Sequence, residues 1–387
     1  MSRRPYLAVL IVVLGMLAAA CGSSGGAATT TTTSPPTVST TVSGPGGLLG
    51  PAYDTSTAAS VSLSGAGANS INPFFQKVFY EYSQANPKTT VSFSPAGSSV
   101  GISDVEQNTV DYGDSEIPMA AKDLAKAPGP VLQVPVDLGG VAISYNIAGV
   151  ASGLKLDGPT LAGIFDGSIT NWDSPQIASV SGVSNLPNLA IVPVHRADSS
   201  GPGWDLDDYL IKTVPAWVAK IGTTKASKTW PLAKVGLGEQ LNSGVATYIS
   251  QTRGAIGYVE YGYALQAKFT NAALLNKAGS YVAPSQQSIA AAGSQASGLS
   301  STKFSIIDEP GAGTYPLANF SWTLLYQKQS NQTKGIALGK LFDWVVTSGQ
   351  PYASSLGYAP LPANVVALAV ATLEKLQTSS GGPLFSK

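Results

Sequence analysis

One arrangement recurs three times in this chain and narrows its fold more than any other feature. An apolar, strand-like run meets a short turn of Gly, Ser, Asn or Asp, and the turn opens into a helical pattern. It occurs at Val61-Ser62-Leu63-Ser64 before Gly65–Ser70, at Thr90-Val91-Ser92-Phe93 before Pro95–Ser99, and at Leu189–Val194 before His195–Gly201. Strands alternating with helices in this way imply an α/β sheet with much parallel pairing. After the first turn, Phe74, Phe75, Val78, Phe79 and Tyr82 recur at helical spacing until Asn86-Pro87 stops the helix. The second turn opens a helix carrying Val100, Ile102 and Val105. Val110–Gly113 reads as a short strand and Asp114-Ser115-Glu116 as a turn. Leu161–Trp172 reads as a helix and a turn. Further strands are expected at Val141–Asn146 and around Leu324-Leu325, and Gly254–Tyr261 reads as a strand followed by a turn. Two amphipathic helices close the chain, one with Ile336, Leu341, Phe342, Val345 and Val346, the other behind Pro362 with Val365, Val366, Ala369, Val370, Leu373 and Leu376. Trp172, Trp204, Trp322 and Trp344 fall in apolar patterns and read as core.

The 387 residues suffice for about two domains. Residues 1–20 read as a signal peptide: Arg3 and Arg4 precede an apolar run from Leu7 to Ala20, too short for a membrane span. Leu17-Ala18-Ala19-Ala20-Cys21 resembles the lipobox of bacterial lipoproteins, with its leucine one position early. Cys21 is the one cysteine of the sequence, so no intrachain disulfide and no thiolate metal cluster can form. Its lipidation would anchor the chain to the outer leaflet of a bacterial plasma membrane, at the cell surface or facing the periplasm. Residues 21–57, rich in Thr, Ser, Pro and Gly, form a low-complexity tether that cannot bury a core. Charged residues make up 11% of the chain, with Lys+Arg and Asp+Glu both at 22. That balance leaves no basic face for nucleic acid.

The turns carry the chemistry. Each sits where a strand ends and a helix begins, the place where open α/β sheets bind ligands. Helix N-termini offer free N–H groups and the positive end of a dipole. In the third turn Arg196 adds a fork of charged donors, with Asp198 two residues on to orient it. Taken singly, each turn is an ordinary cap or tight turn; together they form a metal-free cage for a small tetrahedral oxyanion. His195, Asp198, Ser199 and Ser200 do not make a hydrolytic triad, because neighbours on one strand-to-loop segment do not converge as a triad must. Tyr258 and Tyr261 read either as packing residues or as cleft-facing ones. No His/Cys cluster or calcium-loop spacing occurs, so no metal and no cofactor are expected.

The residues then resemble a known family. LSGAGANS at 63–70, AGSSVG at 96–101, NTVDYGDSEIPM at 108–119, LDGPTLAGIFDGSITNWD at 156–173, HRADSSG at 195–201, GAIGYVEYGYA at 254–264 and LFDWVVTSGQPYASSLGYAPLP at 341–362 occur in order. They are similar to stretches of the phosphate-binding protein of bacterial ABC phosphate transporters, the PstS family. The resemblance implies a two-lobed periplasmic-binding-protein fold of type II kind, each lobe a mixed, mostly parallel sheet flanked by helices. Lobe one would comprise residues 58–139 plus 318–387 and lobe two 140–317, with crossings near Gly139–Val141 and Pro316–Ala318. The implied protein is a non-enzymatic, monomeric receptor that captures inorganic phosphate in the inter-lobe cleft and passes it to ABC permease subunits.

The implied phosphate ligands are Asn69, Ser70, Ser98, Glu116, Arg196, Ser200, Gly201 and Pro202, with Asp198 bracing Arg196. Asn69 stands where the family usually has Thr, and Ser70 where an aromatic residue gives only its backbone N–H. Glu116 replaces a family Asp that accepts the phosphate proton and repels unprotonated sulfate. Pro202 replaces a Thr that supplies an N–H and a hydroxyl, neither of which proline has. Asn69 and the Gly203 N–H are the groups placed to compensate. The departures leave open a diverged protein for another oxyanion, a phosphonate or phosphate ester, or a surface sensor or adhesin.

Overall fold

The computed structural model describes residues 60–221, 228–300 and 303–385. The signal peptide, Cys21 and the tether lie outside the described residues. The first part of the chain lays down β1 (Val61–Gly67), α1 (Asn72–Ala85), β2 (Thr89–Ser94), α2 (Ser98–Glu106), β3 (Tyr112–Ser115) and the short α3 (Ala121–Leu124). A long strand β4 (Val131–Tyr145) follows, then β5 (Lys155–Leu156), α4 (Gly158–Phe165), α5 (Pro175–Ser181) and β6 (Val192–Arg196). The next elements are α6 (Gly201–Thr213), α7 (Pro215–Ile221), β7 (Leu237–Glu239), α8 (Leu241–Gln251), β8 (Ala255–Glu260) and α9 (Tyr261–Gln266). After β9 (Thr270–Asn271), β10 (Ala273–Leu275), β11 (Tyr281–Val282) and α10 (Gln286–Gln295), the chain returns through β12 (Ala318–Tyr326). It ends with β13 (Lys328–Gln329), α11 (Gln332–Val346), α12 (Ala363–Leu373) and β14 (Gln377–Thr378).

One mixed sheet runs through the molecule in the order β2-β1-β3-β12-β4-β8-β6-β7, with β9 also on β4. The β1–β2, β1–β3, β6–β8 and β6–β7 pairs are parallel, as the strand–turn–helix repeats require. The central strands differ, since β12 pairs antiparallel with β3 and β4, and β8 antiparallel with β4. β4 serves both halves of the sheet: Val131–Gly140 pairs with β12 and Val141–Tyr145 with β8. Pro135 lies in this central strand without an N–H to donate, and β4 bulges beside it, with Ser321 facing Asp137, Trp322 facing Pro135 and Val136 the extra residue. The Ser321 N–H there donates instead to Asp137 Oδ1 at 3.1 Å, so the irregularity also seats a carboxylate.

The helices cover the sheet by the stripes read in the sequence. Phe74, Phe75, Val78, Phe79 and Tyr82 of α1 are buried, and the α1 end is closed by Asn86, whose N–H and Nδ2 both donate to the Tyr82 carbonyl. Phe75 meets Phe93 edge-on, and Tyr112 does the same with Phe342 of α11. In the other half, Val194 and Val259 pack against Val245 and Ile249 of α8. Trp172 and Trp322 are core residues, while Trp204 and Trp344 are half-buried against the clusters. Two readings are corrected: Gly65–Gly67, expected in a turn, extend β1, and Asp114 and Ser115, expected in a turn, lie in β3. A strand accommodates Asp114 because the hydroxyl of Ser321 on the neighbouring β12 donates to its carboxylate at 2.6 Å.

Candidate functional site

The starts of α1, α2, α6 and α8 meet between the two halves of the sheet. The α2 N-cap is Gly97, at a φ of 105° that favours glycine, and its N–H donates to the Gly67 carbonyl at 2.7 Å. This draws the second turn onto the first. Across the cleft, a Cβ on Gly97 would stand 3.1 Å from the Ser199 carbonyl and 3.2 Å from Asp198 Oδ2. The Ser99 and Ser199 hydroxyls share a short hydrogen bond. At the rim, Lys228 bonds Asp123 of α3 at 2.7 Å.

Arg196 ends β6 and is 2% exposed. Its backbone N–H donates to the Tyr258 hydroxyl at 2.9 Å, which places Tyr258 behind the site. Asp198 accepts from Nε at 2.7 Å and from Nη2, the bracing expected of it. No other side-chain hydrogen bond of Arg196 is found among the described residues. Ser200 caps α6, with its Oγ accepting from the Gly203 N–H at 3.1 Å. That N–H is therefore committed and does not replace the donors missing at Pro202, which occupies the first turn of α6.

Gly201 is required by close approach, because a Cβ there would collide with the Glu116 carboxylate. The extra methylene of Glu116 thus carries its carboxylate onto the start of α6. Glu116 Oε1 accepts from Asn319 Nδ2 at 3.1 Å, and the same amide donates to Asp205 Oδ2 at 2.7 Å. Ser98 is buried, and its Oγ accepts a long bond from the Glu116 N–H at 3.4 Å. Asn69 and Ser70 are also buried, and the Tyr358 hydroxyl donates to the Ser70 carbonyl. All the sequence-expected site residues thus come together. Sequence reasoning missed Asn242, Glu260, Asp205, Asp137 and Asn319, which stand beside or beneath them.

Four buried side-chain atoms of this region complete no hydrogen bond among the described residues: Ser70 Oγ, Glu116 Oε2, Asn242 Nδ2 and Glu260 Oε2. Ser70 nevertheless lies close enough to Glu116 to favour its ionised form. Buried polar atoms are normally paired, so such a concentration marks a place that handles a polar ligand. Burial pushes the Glu116 carboxyl up to about 7, against the pull of Ser70, Arg196 and Asn319. Burial and the nearby Glu116 push Asp137 up to about 8. Asp114, Asp205 and Glu260 are all raised well above the usual carboxylate range, burial first and neighbouring carboxylates next. Glu260 Oε1 is anchored by the Gly140 N–H at 2.8 Å. Among the described residues, no group of three or more His, Cys, Asp or Glu is arranged to hold a metal ion. His195 packs parallel to Trp230 with its Nδ1 3.1 Å from the Arg196 carbonyl, and no hydrogen bond links it to Ser199, Ser200 or Asp198.

Residues 30–349 match the family model described as a PBP superfamily domain. The phosphate-binding protein PstS of Xylella fastidiosa (strain Temecula1) is 36% identical over 310 residues, 79% of this chain and 83% of that protein. Its namesake from Pasteurella multocida is 36% identical over 310 residues, 79% of this chain and 88% of that protein. Among solved structures, a high-affinity periplasmic phosphate-binding protein with bound phosphate superposes at a TM-score of 0.65 and 19% identity, covering 80% of this chain and 93% of that one. A phosphate-binding protein from Stenotrophomonas maltophilia gives a TM-score of 0.63 at 17% identity, covering 80% and 93%. At those identities the structural likeness carries the two-lobed fold alone.

Proposed function

This chain belongs to the PstS family of phosphate-binding proteins within the PBP superfamily, and from that membership we propose that it captures inorganic phosphate between its lobes and delivers it to an ABC importer. The observation that carries the reading is Arg196: buried, braced on one edge by Asp198, and standing among the convergent helix starts. We assign the anion to the Arg196 fork, the backbone N–H groups of Ser70 and Gly201, the hydroxyls of Ser98 and Ser200, and the amide of Asn69. Pro202 shapes the first turn of α6 against the anion without donating to it. Glu116 is the group that reads the ligand's protonation. Ionised, it accepts a proton from hydrogen phosphate and repels sulfate, which has none to give.

The lobes join, in this reading, at Gly139–Val141 and Pro316–Ala318, where β4 changes partners and β12 begins. Closing about these crossings is the signal a permease would detect. We place the protein outside the plasma membrane, lipid-anchored at Cys21 and working as a monomer without catalytic turnover. No helix among the described residues is long and apolar enough to cross a membrane. Isothermal titration of the purified protein with phosphate tests the function: one saturable site per chain supports it, and the absence of heat at millimolar phosphate overturns it. The donors lost at Pro202 favour one rival reading, a phosphonate or phosphate ester receptor. Tighter binding of methylphosphonate than of phosphate in the same titration would establish that rival.

A further inference from the structure

We propose that Asn69 is the residue that couples anion capture to lobe closure, by capping α8 of the opposite lobe with its side-chain oxygen while its amide nitrogen serves the anion. The proposal rests on the phosphate-binding reading and deepens it. Asn69 lies in the turn between β1 and α1, and α8 packs on β8 and β6 in the other half of the sheet. The Asn242 N–H, in the first turn of α8, donates to Asn69 Oδ1 at 3.0 Å. An N–H must meet the oxygen, so this bond fixes which way the amide faces. Nδ2 lies close enough to the Tyr263 hydroxyl to favour that group's ionised form, which uses at most one of its two hydrogens and leaves the other for an anion. From the same lobe as α8, the Tyr263 hydroxyl donates to the Asn69 carbonyl at 3.2 Å, holding the turn from a second side.

Nothing local caps α8. Its N-cap, Gln240, makes no side-chain cap bond, and Leu241 stands at a φ of 60°, a strained setting for a branched side chain. The exposed donors of a helix start need partners, and here two anion-site residues supply them. Asp198, which braces Arg196, accepts the Leu241 N–H at 3.1 Å, and Asn69 accepts the next one from across the cleft. The Asn242 N–H at the start of α8 therefore has this partner only when the lobes are together. A threonine hydroxyl at 69 would have to donate to the anion and accept from α8 through a single atom, whereas asparagine divides the two roles between Nδ2 and Oδ1. Loss of a cap of this kind shifts the closed-to-open ratio about fivefold to tenfold.

Hydrogen exchange at the Asn242 amide, read with and without inorganic phosphate, tests the coupling in the wild type, Asn69→Asp and Asn69→Ala. Aspartate keeps the acceptor, suits the positive end of α8, and removes the donor. Phosphate is expected to slow exchange at Asn242 in the wild type by about tenfold. Asn69→Asp is expected to be slow without phosphate and to bind it about a hundredfold more weakly. Asn69→Ala is expected to exchange fast in both conditions. Phosphate binding that leaves wild-type exchange at Asn242 unchanged, or an alanine variant that matches the wild type, overturns the proposal while the function stands. If phosphate does not bind the wild type, the function falls, and the latch is judged without ligand: slow aspartate against fast alanine upholds it, and equal rates overturn it.

Discussion

The rim of the inter-lobe site and its floor are made of opposite materials. Around the rim, the starts of α1, α2 and α6 present donors beside Arg196, the one buried Lys or Arg among the described residues. Below it, where β3, β4, β8, β12 and α6 come together, Asp114, Glu116, Asp137, Asp205 and Glu260 are all buried. A cleft made for an anion would repel it if all five were ionised, and each is indeed held toward its neutral form. The contrast teaches a division of labour. On the proposed function the rim supplies attraction, and Glu116, ionised at alkaline pH above an otherwise neutral floor, registers whether the ligand carries a proton.

The largest effect is expected at the rim. Arg196→Met should weaken phosphate binding about a thousandfold, since it removes charge-assisted bonds and leaves Asp198 beside the cleft without its partner. Titration calorimetry checks this, and a loss of only a few-fold would move the source of affinity away from the rim. Next comes the floor. Glu116→Gln keeps the shape and deletes the titration, so phosphate affinity at alkaline pH should fall about tenfold to a hundredfold while sulfate gains. A variant that still refuses sulfate in competition titrations would pass discrimination to another acid of the floor.

The floor also sets a pH dependence of stability. The native Glu116 and Asp137 carboxyls sit at about 7 and about 8, above their ordinary 4.5 and 3.8. Between those limits the folded chain binds more protons than the unfolded chain, so stability is full in acid and declines as pH rises through the raised values. Thermal melts without ligand should therefore show a higher Tm at about pH 5 than at about pH 8, and Asp137→Asn should flatten the slope. Identical slopes in the two proteins would show that the floor is hydrated when the cleft opens. The smallest effect belongs to Pro202→Thr, expected to tighten phosphate binding about tenfold by restoring donors at the α6 start. No gain would mean that Asn69 already compensates in full.

The rim was legible in the sequence because each of its pieces is local. A strand, a short turn and a helix start lie within a dozen residues, and the residue types of the turn announce the chemistry. The floor was not, because its members are brought together only by the sheet: Asn319 reaches Glu116 across 203 positions and Asp205 across 114. Asp137 carried a faint signal, an acid inside an otherwise apolar run. Pro135 and the paired Gly139-Gly140 broke the alternation that would have revealed the first half of β4. Asn242 sits in α8, whose start has no local cap to mark it, so nothing in its own segment distinguishes it. Glu260 lay inside a recognised motif, yet only its bond to the Gly140 N–H places it under the cleft.

Competition of sulfate against phosphate, titrated on the unaltered protein at about pH 8.5 and again at about pH 6, reads rim and floor together. Phosphate should bind in the micromolar range or tighter at the higher pH and resist a large excess of sulfate, with sulfate gaining ground at the lower pH as Glu116 takes up its proton. Sulfate competing equally well at both pH values, or phosphate failing to bind at all, would contradict a phosphate receptor that works in this way.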